Sequence, residues 1–160
     1  MANKIKIYLD RFMFFTTSVF LIITLIMLLW QVFSRYVLSS PSTFTNELLG
    51  FLLVWMSLLG ASYAFGSNEH LALELLKNRL KKNKFLLVNI IGNLFILIFA
   101  IFVLIIGGLN AMDGMMAQLT PILQIPEGWL YLILPISGVI IIIYKVLNSF
   151  IYIQENKGGD

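Results

Sequence analysis

Four uninterrupted apolar stretches, each near the roughly 20 residues a helix needs to cross a bilayer's hydrocarbon core, constrain this chain more than any other feature. They run over Phe12–Phe33, Leu48–Phe65, Phe85–Leu109 and Trp129–Ile153. Each is too long for a strand of a membrane barrel, and none alternates polar with apolar as such a strand must. Backbone groups in lipid have no water to bond, so helices remain. The fold class expected is therefore all-α integral membrane, one domain over residues 1–160 with four transmembrane helices. Composition agrees: 59% of residues are hydrophobic and 12% charged, about half the charge of a soluble domain. The apolar stretch after the basic start Met1–Arg11 shows no small-residue cleavage site and reads as a retained first helix.

Orientation follows from the basic residues. Lys4, Lys6 and Arg11 precede the first span, Lys77, Arg79, Lys81, Lys82 and Lys84 connect the second to the third, and Lys145 and Lys157 fall at the end of the fourth. Arg35 alone, of 11 lysines and arginines, falls on the other side. The positive-inside rule places both termini and the middle connection in the cytoplasm. The loops Ser34–Asn46 and Asn110–Gly128 then face outward. Trp30, Tyr36, Trp129 and Tyr131 suit the outer interface, and Tyr8, Tyr144 and Tyr152 the inner one. Trp55, mid-span, must pack against another helix. Two basic segments with apolar stripes, Lys4–Arg11 and Glu69–Lys84, read as amphipathic and interfacial, the second as a cytoplasmic link between helices 2 and 3 that touches membrane lipid.

Function classes can be excluded on the residues present. The chain has no cysteine and one histidine, so thiolate metal sites, disulfides and bis-histidine haem are out. His70 has Ser67 and Glu69 beside it but no recognisable third catalytic group or oxyanion site, and Ser57 is too distant along a helix to share its proton. No phosphate loop, metal cluster or carboxylate dyad is present. No catalytic, cofactor, metal or substrate residue is assigned, and nothing points to nucleic acid.

Polar and small residues within spans need a reason. Glu47, Gly50, Val54, Ser57, Ala61 and Ala64 share one face of the second span. Ser57-x-x-x-Ala61 and Gly60-x-x-x-Ala64 have the spacing that lets helix backbones approach closely in lipid. That face packs either inside this chain's own bundle or against a separate membrane subunit, and the sequence leaves both open. Arg35 and Glu47, both near the outer boundary, form a candidate pair, the alternative being that Arg35 reaches phosphates alone. Asn89 and Asn93, one turn apart beside Gly92, can hydrogen-bond another helix; a structural use fits better than ion binding, since no carboxylate accompanies them. Leu109, Met112, Met116 and Leu119 extend the third helix to about Gln118, where Thr120-Pro121 breaks it. Pro126 and Glu127 suit the start of the fourth helix, and Pro135 should kink it.

The run Gln31-Val-Phe-Ser-Arg35-Tyr-Val-Leu, then Pro41, Asn46-Glu47, Val54-Trp55, Gly60-Ala61 and His70 resembles the small, Q-type membrane subunit of tripartite ATP-independent periplasmic (TRAP) transporters. Leu123-Gln-Ile125-Pro126-Glu-Gly-Trp129 and Pro135 are similar to that family's entry into its last span. Phe44 stands where a tryptophan is common, and Asn46 where a second acidic residue is. The resemblance implies a three-part importer in a bacterial inner membrane. An extracytoplasmic solute-binding protein captures an organic anion of the C4-dicarboxylate or sialic-acid type. A large multi-span subunit moves it on a sodium gradient, and the small subunit braces the large one as part of its scaffold. Sodium and substrate sites belong to the large subunit, and this chain carries no cofactor. The competing reading is a self-contained proton-coupled transporter acting as a homo-oligomer, with Glu47 as its carboxylate.

Overall fold

A computed structural model of the chain describes residues 2–66 and 82–157. Those residues are helical apart from the connections, with no strand among them. The amphipathic link expected over 69–84 and His70 fall, but for the first residues of the third helix, outside the described residues.

Helix α1 runs Ala2–Tyr36 and α2 Thr43–Gly66. The third column is built from α3 (Lys82–Ile98), a π-helical stretch (Phe99–Gly107) and α4 (Gly108–Met115). The fourth consists of a single turn, α5 (Gly128–Tyr131), and the long α6 (Ile133–Lys157). Four segments are long and apolar enough to cross a membrane: Asn3–Tyr36, Thr43–Gly66, Ile90–Met115 and Gly128–Ile151. Four crossings return the chain to the side it started from. The termini, Gly66 and Lys82 thus share one end of the bundle, here the terminal end, and the loops 37–42 and 116–127 share the far end. Helix α1, with 35 residues, is about 52 Å long. That exceeds a hydrocarbon core of about 30 Å, so α1 tilts or projects beyond it.

Local chemistry fixes the ends. Ser42 caps α2, its hydroxyl accepting from the Thr45 amide at 3.4 Å, which satisfies one of the first-turn N–H groups. In the same hairpin the buried Ser34 hydroxyl donates to Gln31 O and accepts from the Ser42 amide, while Ser39 takes the left-handed conformation at φ 50°. At the other end of α2, Asn148 Nδ2 of α6 donates to Gly66 O at 3.1 Å, occupying a carbonyl the helix end leaves open. Within α1, Thr17 and Thr24 donate to Met13 O and Phe20 O, so neither hydroxyl needs water or another helix.

The third helix stops short of the expected Gln118. It ends at Met115, where the backbone tightens with Met116 N bonding Asp113 O and Gln118 N bonding Met115 O. The following backbone is engaged elsewhere: Leu119 bridges Pro126, Thr120 N donates to Ile125 O at 2.9 Å, and Glu127 N to Gln118 O at 2.8 Å. The fourth helix breaks at Leu132, between α5 and α6. Pro135 has no N–H for the Tyr131 carbonyl four residues back and its ring crowds that carbonyl, which explains a break at this turn.

Two adjoining cores hold the columns together. Met13 of α1, Leu59 of α2 and Ile133 and Tyr144 of α6 form one, with Phe20, Trp55 and Tyr63 packed around it. Ala100 and Leu104 of the π-helical stretch and Ile141 of α6 form the other. Trp55 stacks on Phe20 of α1, centroids 6.2 Å apart and rings 9° from parallel. Helix α6 is central, and its close approaches use absent or minimal side chains. A Cβ added at Gly66 would overlap the Tyr144 ring, one at Gly138 would lie 2.8 Å from Ile105 Cγ1 and 3.0 Å from Ala100 O, and one at Gly108 2.7 Å from Leu134 Cβ. Ser62 and Ser137, both fully buried, meet at the α2–α6 contact, where the Ser62 hydroxyl bonds its own helix at Leu58 O and approaches Ser137 O at 3.4 Å.

Tyr144 is 0% exposed and serves as the core residue against which α2 ends at Gly66. Lys145, counted among the basic residues flanking the last span, is likewise buried, at 8% exposed. Both face neighbouring helices from α6, Tyr144 toward the core with Met13 and Leu59 and Lys145 toward Asn93.

Candidate functional site

Helix α2 shows two faces of opposite character. Its buried residues are Thr45, Leu49, Leu59, Ser62 and Gly66, spaced at helical intervals toward α1 and α6. Gly50, Val54, Ser57, Ala61 and Ala64 are all exposed, and at 100° per residue their mean direction lies about 180° from the buried set. No atom comes within 4 Å of a Cβ built at Gly50. The small-residue face is therefore turned away from the chain's own bundle. Beside it, a groove of about 430 Å³ runs between α1 and α2, lined by Thr17, Ser18, Leu21, Ser57, Gly60 and Tyr63 among others. Gly60 sits at the edge of the α1 contact, where an added Cβ would meet Thr17 Cγ2 at 3.7 Å.

At the far end of this face, Glu47 has a structural partner. Its Oε2 accepts from the Ile122 amide at 2.9 Å and its Oε1 from the Leu123 amide at 3.3 Å. The acceptor geometry is explained by the loop. Thr120-Pro121 opens a single turn closed by Gln124 N to Thr120 O at 3.2 Å, and the N–H groups of its third and fourth residues, Ile122 and Leu123, point outward, as at any helix start. Gln124 holds the left-handed conformation at φ 54°, and its side-chain amide donates to Thr120 O and Pro121 O. The carboxylate of α2 thus caps a turn between the third and fourth spans with two charge-assisted bonds. A second tie at the same end joins Gln31 Nε2 of α1 to Asn46 Oδ1 at 2.7 Å. The structure forms no ion pair between Arg35 and Glu47: Arg35 is exposed, and the carboxylate is engaged by the Ile122 and Leu123 amides.

At the terminal end, Asn93 Oδ1 accepts from Lys145 Nζ at 2.8 Å, so Asn93 bonds a helix of its own chain. The Asn89 side chain lies outside the described residues. Among the described residues no group of His, Asp and Glu could hold a metal ion.

Sequence reasoning grouped Glu47 with the small-residue face and missed its partner loop. Thr120-Pro121 was visible as a helix breaker, but that its turn offers two amides to α2 depends on the packing of the third and fourth spans. Lys145 stood within the apolar run Ile140–Leu147, the signal that could have marked it as buried.

Residues 24–153 match the family model of the DctQ component of tripartite ATP-independent periplasmic transporters. A Haemophilus influenzae protein carrying the name TRAP transporter small permease protein is 25% identical over 135 residues, covering 82% of this chain and 83% of the relative. The sialic acid TRAP transporter small permease protein SiaQ of Vibrio cholerae is 24% identical over 126 residues, 79% of this chain and 72% of SiaQ. The sialic acid TRAP transporter permease protein SiaT of another Haemophilus influenzae strain is 25% identical over 130 residues, which are 81% of this chain but 21% of SiaT. The chain belongs to the DctQ family: it is a small permease subunit of a TRAP transporter, a membrane transport component and not an enzyme.

Proposed function

We propose that this subunit braces a large multi-span permease through the exposed face of α2 formed by Gly50, Val54, Ser57, Ala61 and Ala64. The observation that carries the proposal is the division of α2: its own bundle uses the opposite face, and the small residues are left exposed. In lipid, helix association rests on close packing and interhelical hydrogen bonds rather than on exclusion from water. A row of small residues gives a second backbone room to approach and gives lipid chains nothing comparable. The SiaT relative supports the same partner, because the segment like this chain is there about a fifth of one longer permease.

In this reading the large subunit carries the substrate and sodium sites and does the moving. An extracytoplasmic solute-binding protein delivers an organic anion, a C4-dicarboxylate or a sialic acid, and this chain supplies fixed scaffold without cofactor. The basic residues of the terminal end support termini facing the cytoplasm of a bacterial inner membrane. A self-contained proton carrier is disfavoured by Glu47, whose carboxylate is engaged by two amides at the far end.

Proteoliposomes test this. With the large subunit, this chain and the solute-binding protein present, labelled sialic acid or succinate should accumulate only under an inward sodium gradient, and omission of this chain should abolish uptake. Uptake by this chain alone on a proton gradient would overturn the reading. Topology is checked separately: Ser39→Cys should react with an impermeant thiol reagent in intact cells and Asn156→Cys should not.

A further inference from the structure

Lys145 is set in the apolar run of α6 and buried, at 8% exposed. An ammonium carries three N–H donors and no acceptor. Asn93 Oδ1 takes one at 2.8 Å, and Asn93 is neutral. Among the described residues no carboxylate pairs with Lys145, and apolar surroundings penalise a charge that is not fully paired. Beside the ammonium is a crevice of about 210 Å³ lined by Asn93, Leu97, Lys145, Val146, Ser149 and Phe150. That volume far exceeds what one water requires. Its floor is cationic and polar. Its walls are apolar and open to the bundle surface, with Val146 47% and Phe150 58% exposed.

Position adds a second constraint. Three residues beyond Lys145 on α6, Asn148 Nδ2 donates to Gly66 O at the end of α2, so the crevice lies toward the terminal end of the bundle.

We propose that the crevice between α3 and α6 seats one phospholipid of the leaflet on the terminal side. A phosphate oxygen accepts from Lys145 Nζ, the Ser149 hydroxyl at the rim supplies a further donor, and an acyl chain lies over Leu97, Val146 and Phe150. A charged floor under apolar walls suits an anionic amphiphile better than a soluble anion, and a membrane supplies such molecules continuously. The inference concerns a different end and different helices from the α2 face, so it stands or falls independently of the large-subunit reading.

The test is native mass spectrometry of the delipidated full chain in dodecyl maltoside, titrated with dioleoyl phosphatidylglycerol. One lipid should bind tightly per chain. Lys145→Met should weaken it about tenfold or more, the loss of a hydrogen bond to a charged group. Ser149→Trp, at an exposed rim position that leaves Lys145 intact, should block the crevice and weaken it comparably. Arg35→Gln, at the far end, should leave it unchanged. Dioleoylglycerol, which lacks the phosphate, should not compete. Unchanged affinity in either Lys145→Met or Ser149→Trp would overturn the proposal. So would displacement of the lipid by equimolar inorganic phosphate, which would mark a soluble-anion site. Loss of the large subunit from purified Lys145→Met complexes, with lipid binding intact, would assign the crevice to a protein carboxylate instead.

Discussion

Two sets of small residues lie on helix α2 and meet opposite fates. Ser62 and Gly66 are buried against α6, where Ser137 and the Tyr144 ring occupy the room they leave. Gly50, Ser57 and Ala61 are exposed, and Gly50 has nothing within 4 Å of where a Cβ would stand. The chemistry of the two sets is the same, and only the partner differs. A small residue in a membrane helix thus marks a close approach without saying whose backbone approaches. In the proposed reading, the surplus of such positions over those the chain's own bundle uses is where a second subunit approaches.

The contrast is broken most forcefully at Gly66. Gly66→Leu must displace the Tyr144 ring or separate α2 from α6, an overpacking of about 3 kcal/mol or more. The expected outcome is loss of monodisperse chain in detergent, read by size-exclusion chromatography. Recovery of folded Gly66→Leu at wild-type yield would show that the α2–α6 contact is looser than described.

A smaller effect is expected at Glu47. Glu47→Ala leaves the Ile122 and Leu123 amides without their acceptor and should destabilise the chain by about 1–3 kcal/mol. Glu47→Gln keeps one acceptor oxygen and should lose less. Hydrogen exchange at those two amides should accelerate in Glu47→Ala while exchange in the α2–α6 core does not. Equal acceleration in both places would mean the carboxylate holds up the whole bundle rather than the far-end turn.

Trp55 should give the smallest change. Its indole N–H is buried without a hydrogen-bond partner, while its ring stacks on Phe20. Trp55→Phe retains an aromatic face and removes an unsatisfied donor, so thermal stability should shift by less than about 1 kcal/mol in either direction, the volume lost offsetting the polar atom removed. A loss of several kcal/mol would reveal a partner for the indole, contributed from outside the chain if it appears only in the assembled complex.

The number of spans and the helical class were legible because hydrophobic length is a property of contiguous sequence. The small-residue face was legible for the same reason, since helical periodicity places Gly50, Ser57 and Ala61 together. Which small residues the chain consumes was not. Gly66 and Gly138 matter through Tyr144 and Ala100, residues distant in sequence, and no periodicity within one helix reports them. The π-helical stretch Phe99–Gly107 has an unbroken apolar sequence that differs in nothing from an ordinary span. Glu47 was read with Arg35 because both fall at one boundary. Its actual partners are backbone amides, which every residue but proline possesses and which no sequence pattern singles out.

The central claim is that the exposed face of α2 is reserved for another membrane subunit, and co-purification tests it most directly. Gly50→Leu and Ala61→Leu should leave the isolated chain folded, with size-exclusion profile and thermal midpoint unchanged, because neither position is buried in its own bundle. The same substitutions should separate backbones that approach closely only in the complex, forfeiting many small contacts at once. The account predicts that the folded variants no longer retain the large subunit in mild detergent, while Leu53→Phe, on an exposed large residue, retains it. Wild-type retention by folded Gly50→Leu and Ala61→Leu would contradict it.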